Sequence, residues 1–388
     1  MVKIIDDISK AIDHNQSSIL CLLDLSKAFD SINLDVMLAR LHQLNFNPSA
    51  LNWFKTYLMD RKQVLEIQQN QSQPNLIKSG IPQGAILGPL MFSIYLRPLP
   101  NCLKNCFYHI FADDVQIYLP FKKEEFTEAI ENFNSDLSNI VSWCQENFLS
   151  IHPDKCKALL IGSPNSINTL QLNDGTQGHT LSISNTPITF EKKFVKDLGF
   201  MIDPLLNWHE QTKFTCKKVF ASLHTLNRFR HIFPFRLKAK IVQTLVLPLF
   251  DYGDIIYNSC RDVDAKRLQY TQNCCIRFIF RARKSAHVTP FYKQLNWLKL
   301  SQRRDIHSIT LLHKIIHNNS AGYLHVTRLN TERNGIQLNI VRHRTSLYDS
   351  TFFISILRKW NALPREIRDI INLNKFKREL KKHFLESQ

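Results

Sequence analysis

The chain has 388 residues, 44% of them hydrophobic, and a formal net charge of +17. This length suits two or three domains, and the composition excludes a disordered chain. No apolar run approaches the roughly 18 residues that a membrane helix needs. Acidic residues stand where a signal peptide would have its apolar stretch, so we expect no membrane association and an intracellular protein of the nucleus or cytoplasm.

The charge is unevenly distributed along the chain. Residues 1–203 hold 17 Lys/Arg and 21 Asp/Glu, whereas residues 204–388 hold 33 Lys/Arg and 12 Asp/Glu. One half is slightly acidic and the other strongly basic. Such an asymmetry indicates a polyanionic partner that is bound mainly by the second half.

The first elements alternate between helix and strand. Apolar positions in Lys3–His14 recur at helical spacing. Ser18–Leu25, with the sequence SILCLLDL, is typical of a buried central strand, and it carries Asp24 near its end. The pattern is helical again over Ser26–Leu44. Glycine and proline interrupt Ser79–Gly88 four times and predict a loop, which leads into a helix over Pro89–Leu96.

The segment Tyr108–Leu119, YHIFADDVQIYL, alternates apolar and polar residues on both sides of two aspartates. This pattern predicts a β-hairpin with Asp113 and Asp114 at its tip. A long amphipathic helix follows over Glu124–Phe148. Further strands are predicted over Ala158–Ile161 and Phe194–Ile202. The rest is mainly helical, with helices predicted over His209–Arg230, Phe235–Leu247, Val263–Phe280 and Leu373–Leu385.

Three carboxylates in this pattern indicate metal-dependent chemistry. If the strand ending at Asp24 and the hairpin share one sheet, Asp24 meets Asp113 and Asp114 at one edge. Carboxylates that close repel one another unless cations lie between them. Oxygen ligands of this kind suit Mg²⁺, and two such ions can hold the attacking and leaving oxygens of a phosphoryl transfer. An isolated Asp-Asp pair is usually a solvent-facing turn, but here its surroundings are strongly apolar.

Five segments stand out in chain order: LLDLSKAFDSI at Leu22–Ile32, SGIPQGAILGPLMFSIYL at Ser79–Leu96, FADDVQIY at Phe111–Tyr118, LSIHPDKCKALLIG at Leu149–Gly162 and VKDLGFMID at Val195–Asp203. Together they resemble the reverse-transcriptase family, in particular the enzymes of non-LTR (LINE-type, jockey-like) retrotransposons. The order and approximate spacing are similar to the family's palm motifs. The resemblance extends through later segments over nearly the whole chain.

The resemblance implies an α+β fold. It implies a polymerase palm of the split βαβ kind, with an antiparallel sheet backed by helices, over residues 1–203. A helical thumb over 204–285 and a basic helical region over 286–388 would follow.

The resemblance also implies roles for individual residues. Asp24, Asp113 and Asp114 would bind two Mg²⁺ ions, with Mn²⁺ as an alternative, and Lys155 would act near the leaving pyrophosphate. Phe29 would lie under the sugar of the incoming nucleotide and exclude a 2′-hydroxyl. Gln83 and Gly84 would lie near the new base pair, and Leu198 and Gly199 would hold the primer end. Asp30 is assigned a structural role.

The implied function is that of an RNA-directed DNA polymerase that uses an RNA template, a DNA primer and dNTPs. Only 23 residues precede Asp24, so the family's fingers region and its upstream endonuclease are expected to be missing. The alternatives are a non-catalytic nucleic-acid-binding relic of a decayed mobile element, or a fragment of such an element that never accumulates as folded protein.

The basic half suits either function. Clusters such as Lys217–Lys218 and Arg303–Arg304 would contact phosphates. Phe229, Phe233 and Phe235 lie among arginines. They would either stack on bases or pack in a core.

Overall fold

The computed structural model describes residues 1–172, 180–318, 328–331 and 335–387. The chain divides into two compact units. The sheet unit is Ser17–Leu198, and the helical unit is Met1–Gln16 together with Gly199–Gln388. The expected division at residues 203 and 285 remains a prediction.

The centre of the sheet unit is a four-stranded antiparallel sheet. Its strands lie in the order Phe107–Phe111, Asp114–Phe121, Ser17–Asp24 and Lys157–Ile161. The apolar run SILCLLD forms a central strand because it has neighbours on both edges, and Ile19, Leu20 and Cys21 are fully buried. The predicted hairpin and the α+β class are confirmed.

One long helix, Phe126–Glu146, packs against this sheet unit through a buried face that includes Phe133, Leu137 and Ile140. The same helix also anchors the hairpin. Its buried Asp136 carboxylate accepts hydrogen bonds from the backbone N–H groups of Lys104, Asn105 and Cys106, at 2.8–3.0 Å. These bonds hold the chain just before the hairpin's first strand begins.

Shorter elements complete the sheet unit. The further helices and helical turns are Leu34–Gln43, Pro48–Leu58, Gly88–Leu96, Leu99–Cys102, Lys123–Glu125, Pro153–Lys155 and Pro164–Leu172. The further strands are Lys62–Gln63, Glu66–Ile67, Asn70–Gln71, Asn75–Leu76, Leu181–Ile183, Thr186–Ile188 and Val195–Asp197. The strand predicted over Phe194–Ile202 is interrupted at Leu198 and Gly199, which both have positive φ.

The helical unit contains the elements before Ser17 and after Leu198. Its helices are Val2–Asp13, His209–Asn227, Phe235–Ile241, Leu247–Asp251, Asp262–Phe280, Thr289–Leu295, Leu300–Asn318, Ser346–Asp349, Phe352–Asn361, Arg365–Arg368 and Leu373–Glu386, with a π-helical turn at Val242–Val246. Short strands lie at Phe200–Ile202, Arg328–Thr331 and Gly335–Leu338. A core forms around Trp360, Phe376 and Leu380, which are fully buried.

All nine cysteines are free thiols. Among the residues that the structure describes, no helix is both long enough and apolar enough to cross a membrane.

Candidate active site

The candidate active site is an edge of the four-stranded sheet where three aspartates meet. Asp24 is the last residue of the central strand and is paired in register with Asp114, the first residue of the hairpin's second strand. Phe111 and Asp114 form the last pair of the hairpin, so Ala112 and Asp113 alone make its turn. Ala112 has a φ of 53°, a conformation that is uncommon for a residue with a side chain. Strand pairing therefore brings together residues about ninety positions apart.

The electrostatics of this edge fit a divalent cation. Partial burial raises the pKa of Asp114, and the neighbouring carboxylates of Asp113 and Asp24 raise it further. The Asp24 side chain is 42% exposed, so a ligand can reach it. Adjacent carboxylates favour a hard cation with oxygen ligands, because its charge offsets their repulsion. The donor set thus suits Mg²⁺ or Mn²⁺.

Lys155 lies beside the carboxylates. It ends the helical turn Pro153–Lys155, and its Nζ is 3.4 Å from Oδ2 of Asp24. The backbone N–H of His152 donates a 2.9 Å hydrogen bond to the carbonyl of Asp24, which fastens this turn to the strand end. The Lys155 side chain is 61% exposed, so the ion pair contributes little to stability and leaves the ammonium accessible.

The loop Ser79–Gly84 is held against the segment that follows Asp24. The Gly80 N–H donates to the carbonyl of Ile32 at 2.8 Å, and the Ile81 N–H donates to that of Phe29 at 3.1 Å. A Cβ on Gly80 would lie 2.9 Å from the Asp30 backbone, and Gly80 has a φ of 82°. Only glycine permits this close approach of two backbones.

This loop carries two of the predicted nucleotide-binding residues. Gln83 Nε2 donates a 2.8 Å hydrogen bond to Oδ1 of Asp30. Gly84 has a φ of 81°, and a Cβ there would have no atom within 4 Å. The Phe29 ring is half-buried and stacks on Phe92, with ring centroids 4.6 Å apart. Phe29 and Gln83 are therefore linked, because both the loop backbone and the Gln83 side chain bond to the segment Phe29–Asp30.

The predicted primer-binding residues Leu198 and Gly199 follow the strand Val195–Asp197, at the junction in the chain between the two units. Their φ values are 44° and 84°, so both are in the left-handed region. In the helical unit, a Cβ on Gly199 would lie 3.3 Å from the Tyr252 ring. Their role at a primer end remains a prediction.

Sequence reasoning missed Asp197, which is only 5% exposed. Gln116 Nε2 donates a 3.1 Å hydrogen bond to its Oδ1. Burial, with a further contribution from Asp114, raises the pKa of Asp197 to about 6. The signal in the sequence was the polar Gln116 inside an apolar hairpin strand, since a buried amide requires a partner.

A second acidic group lies in the helical unit. Asp251, Asp254 and His307 place one ligand atom each within 4.8 Å of the others, the only such trio in the described ranges. His307 Nδ1 lies 2.8 Å from Asp254, and Arg303 pairs with Asp251 through two hydrogen bonds. These contacts already satisfy the acidic groups. The three aspartates of the sheet edge are spaced more widely than this trio.

These contacts also correct the expectation for Arg303 and Arg304. The Arg303 guanidinium is bound to the Asp251 carboxylate, and the Arg304 guanidinium lies 5.0 Å from the centre of the Tyr257 ring. Both arginines are therefore used inside the protein rather than as a pair of exposed phosphate ligands.

Comparison with known proteins identifies the family of the chain. The family model "Reverse transcriptase (RNA-dependent DNA polymerase)" matches residues 2–215, more than half of the chain. The chain therefore belongs to the reverse transcriptase family, and the resemblance drawn from the five motifs is confirmed.

Similar curated proteins come from fly transposons. The "Probable RNA-directed DNA polymerase from transposon BS" of Drosophila melanogaster is 24% identical over 306 residues, which are 74% of this chain and 32% of that protein. The "RNA-directed DNA polymerase from mobile element jockey" of Drosophila funebris is 22% identical over 280 residues, 70% of this chain and 29% of that protein. The chain spans about a third of the length of these relatives.

Among solved structures, a telomerase from Candida albicans in complex with a fragment of telomeric RNA is similar, with a TM-score of 0.39 and 11% identity. The match covers 77% of this chain and 52% of that one.

Proposed function

We propose that the chain is an RNA-directed DNA polymerase that adds deoxynucleotides to a primer 3′ end by two-metal catalysis. The observation that carries this proposal is the register pairing of Asp24 with Asp114, next to Asp113 in the hairpin turn. Carboxylates placed next to one another in this way support the binding of two ions between the reacting oxygens.

The reaction would join the primer 3′-oxygen to the α-phosphorus of a dNTP, while the bond to the pyrophosphate oxygen breaks. When bound, two Mg²⁺ or Mn²⁺ ions supply charge neutralisation at the attacking and leaving oxygens. Asp24, Asp113 and Asp114 would hold them. Lys155, beside Asp24, would neutralise or protonate the leaving pyrophosphate.

The substrates would be an RNA template, a DNA primer and dNTPs inside the cell, in the nucleus or cytoplasm. Phe29 would lie under the sugar and exclude a 2′-hydroxyl, supported by its stacking on Phe92. The open space at Gly84 supports an adjacent base pair. Leu198 and Gly199 would hold the primer end.

Primer extension tests the proposal. Purified protein with Mg²⁺, an RNA template, an annealed DNA primer and dNTPs is expected to extend the primer. Asp113→Asn is expected to abolish extension, because it removes a metal-binding charge. Asp35→Asn is the matched control, since Asp35 is exposed on the helix Leu34–Gln43. Extension that survives Asp113→Asn would refute the assignment of the site.

A second function is favoured by the charge of the chain. Residues 204–388 hold 33 Lys/Arg against 12 Asp/Glu, which suits non-catalytic binding of nucleic acid. If the parent protein does not extend a primer but binds RNA with strong salt dependence, this second function replaces the first.

A further inference from the structure

A compact cationic pocket lies in the helical unit, apart from the carboxylates. It is a cavity of about 210 Å³ lined by four cationic side chains, Arg230, Arg277, Arg281 and Lys284. No acidic residue is among its described lining residues. None of the four forms an ion pair with a carboxylate in the part of the chain that the structure describes.

Arg277 is the least exposed of the four cationic residues that line the pocket. Its Nη2 donates a 3.3 Å hydrogen bond to the Ala286 carbonyl. Its Nε and Nη1 are buried and have no hydrogen-bond partner. Because these two atoms are buried, an anion in the pocket would interact with the charge of Arg277 without bonding to them.

Neighbouring groups add to the positive charge. Lys238 is buried, with 2% exposure, and its Nζ lies 5.9 Å from the centre of the Phe278 ring. Burial lowers the pKa of Lys238, and the charges of Arg281 and Arg230 lower it further. Like charges this close repel one another, and an anion in the pocket would relieve that repulsion.

Arg281 also has a structural part in building the pocket. It ends the helix Asp262–Phe280 with a φ of 54°. Its Nη2 donates 3.0 Å hydrogen bonds to the carbonyls of Arg230 and His231. The pocket is thus shaped by contacts between two segments of chain rather than by flexible surface side chains alone.

The size and surroundings of the pocket suit a phosphate group. A volume of about 210 Å³ holds a phosphate group but is below the roughly 300–1,000 Å³ of pockets that enclose a whole ligand. Phe229, next to Arg230 in sequence, is 44% exposed and stacks on Phe233 with centroids 5.6 Å apart. Exposed aromatic rings beside cations are the pattern that binds unpaired bases.

We propose that this pocket binds a backbone phosphate of a single-stranded nucleic acid, with Phe229 available to the adjoining base. The proposal rests on the proposed nucleic-acid function and specifies where one unpaired part of the substrate would lie. Arginine is suited to this role because its planar donors match phosphate oxygens.

The test is salt-dependent binding of a fluorescein-labelled oligouridylate, followed by fluorescence anisotropy without Mg²⁺ or dNTPs. Arg230→Gln/Lys284→Gln removes two pocket cations. The slope of log affinity against log salt is expected to become shallower by about 0.7, the value for one lost single-strand phosphate contact. The matched control is Arg228→Gln/Arg283→Gln, which removes two exposed charges from the same segments outside the pocket and should leave the slope unchanged.

Several outcomes would overturn the proposal. They are an equal change of the salt slope in both double variants, no change of the slope in Arg230→Gln/Lys284→Gln, or a change of the slope seen only with a duplex probe of the same length. Should Arg230→Gln/Lys284→Gln fail to fold by circular dichroism, Lys284→Glu and Arg283→Glu give the same comparison within one exposed segment.

The two proposals fail separately. Asp113→Asn is expected to bind the oligonucleotide as the parent does. If the parent protein does not extend a primer but shows the pocket effect, the result counts against the polymerase proposal alone. If the parent protein extends a primer but shows no pocket effect, the result counts against the pocket proposal alone.

Discussion

Gln83 donates a hydrogen bond of 2.8 Å to the carboxylate of Asp30, a residue 53 positions earlier in the chain. Both residues lie in motifs that the family shares, yet the bond between them follows only from folding. It orients the Gln83 side chain, because the Gly80 and Ile81 backbone bonds hold the rest of the loop to the same segment.

Removing the Asp30 carboxylate should therefore weaken the proposed nucleotide site through Gln83. We expect Asp30→Ala and Gln83→Ala each to lower the kcat/KM for dNTP by about tenfold, which corresponds to about 1.4 kcal/mol. The double variant should lose little more than either single variant, because both remove the same contact. Fully additive losses in steady-state extension would show that the two residues act independently.

The position of Lys155 predicts a kinetic effect without a stability effect. Lys155→Gln is expected to lower the rate of single-nucleotide addition by about 10²-fold. The free energy of unfolding should change by less than about 1 kcal/mol, because its pair with Asp24 is exposed.

Lys157→Gln is the matched control for Lys155. Lys157 is also exposed and paired, with Glu191 at 3.0 Å, but it lies two residues further along the chain. Quench-flow rates and urea denaturation measure both variants. Equal rate losses at the two lysines would contradict the role assigned to Lys155.

Phe29 is expected to control sugar selection. Phe29→Ala should raise the ratio of ribonucleotide to deoxynucleotide incorporation, because the ring would no longer exclude the 2′-hydroxyl. Loss of its stacking on Phe92 should also destabilise the fold by about 1–3 kcal/mol.

Phe92→Ala separates these two effects. Phe92 is fully buried, so its truncation should destabilise the protein by about 3–5 kcal/mol without changing the incorporation ratio. The ratio is measured by extension in paired rNTP and dNTP reactions. If Phe92→Ala changes the incorporation ratio and Phe29→Ala does not, sugar selection cannot be assigned to Phe29.

Thermal unfolding can distinguish the two acidic groups as metal sites. At a Mg²⁺ concentration of 100 times Kd, binding to the folded state should stabilise the parent protein by about 2.7 kcal/mol. Asp24→Asn and Asp113→Asn should lose the Mg²⁺-dependent rise in Tm.

Asp251→Asn should keep that rise, even though it disrupts the pair with Arg303 and lowers the starting Tm. The difference in Tm with and without Mg²⁺ is the measured quantity for each variant. If only Asp251→Asn loses the Mg²⁺-dependent rise in Tm, the metal site would have to be assigned to the helical unit.

Burial of Asp197 predicts a pH-dependent stability. Its pKa is raised from 3.8 to about 6, so the folded protein favours the protonated form. The contribution of protonated Asp197 to the free energy of unfolding is fully present below pH 3.8 and is lost as the pH rises through about 6. Asp197→Asn should therefore be more stable than the parent at pH 7, by on the order of 2–3 kcal/mol, and similar to it near pH 4.

Urea denaturation across this pH range checks the prediction. Asparagine keeps an oxygen that can accept the Gln116 hydrogen bond, so the variant tests the charge rather than the contact. A constant difference between the two proteins at all pH values would contradict it.

Local patterns in the sequence were sufficient for much of the fold. The central strand, the hairpin, the long amphipathic helix and most later helices follow from hydrophobic periodicity, because burial of one face leaves a regular spacing of apolar residues. The predicted ends of the helices and strands were less accurate. Phe194–Ile202 is not one strand, because Leu198 and Gly199 adopt positive φ there, and alternating hydrophobicity does not report such a turn.

By itself, the sequence determined the family, the choice of three candidate aspartates and the basic character of the second half, because motif order and charge are properties of the linear chain. The tertiary structure alone decided that Asp24 lies opposite Asp114, that Gln83 is bonded to Asp30, that Asp197 is buried and that four cations surround one pocket. Each of these facts depends on strand register or on packing between distant segments. Periodicity shows which face of an element is buried, but it does not show which partner covers that face.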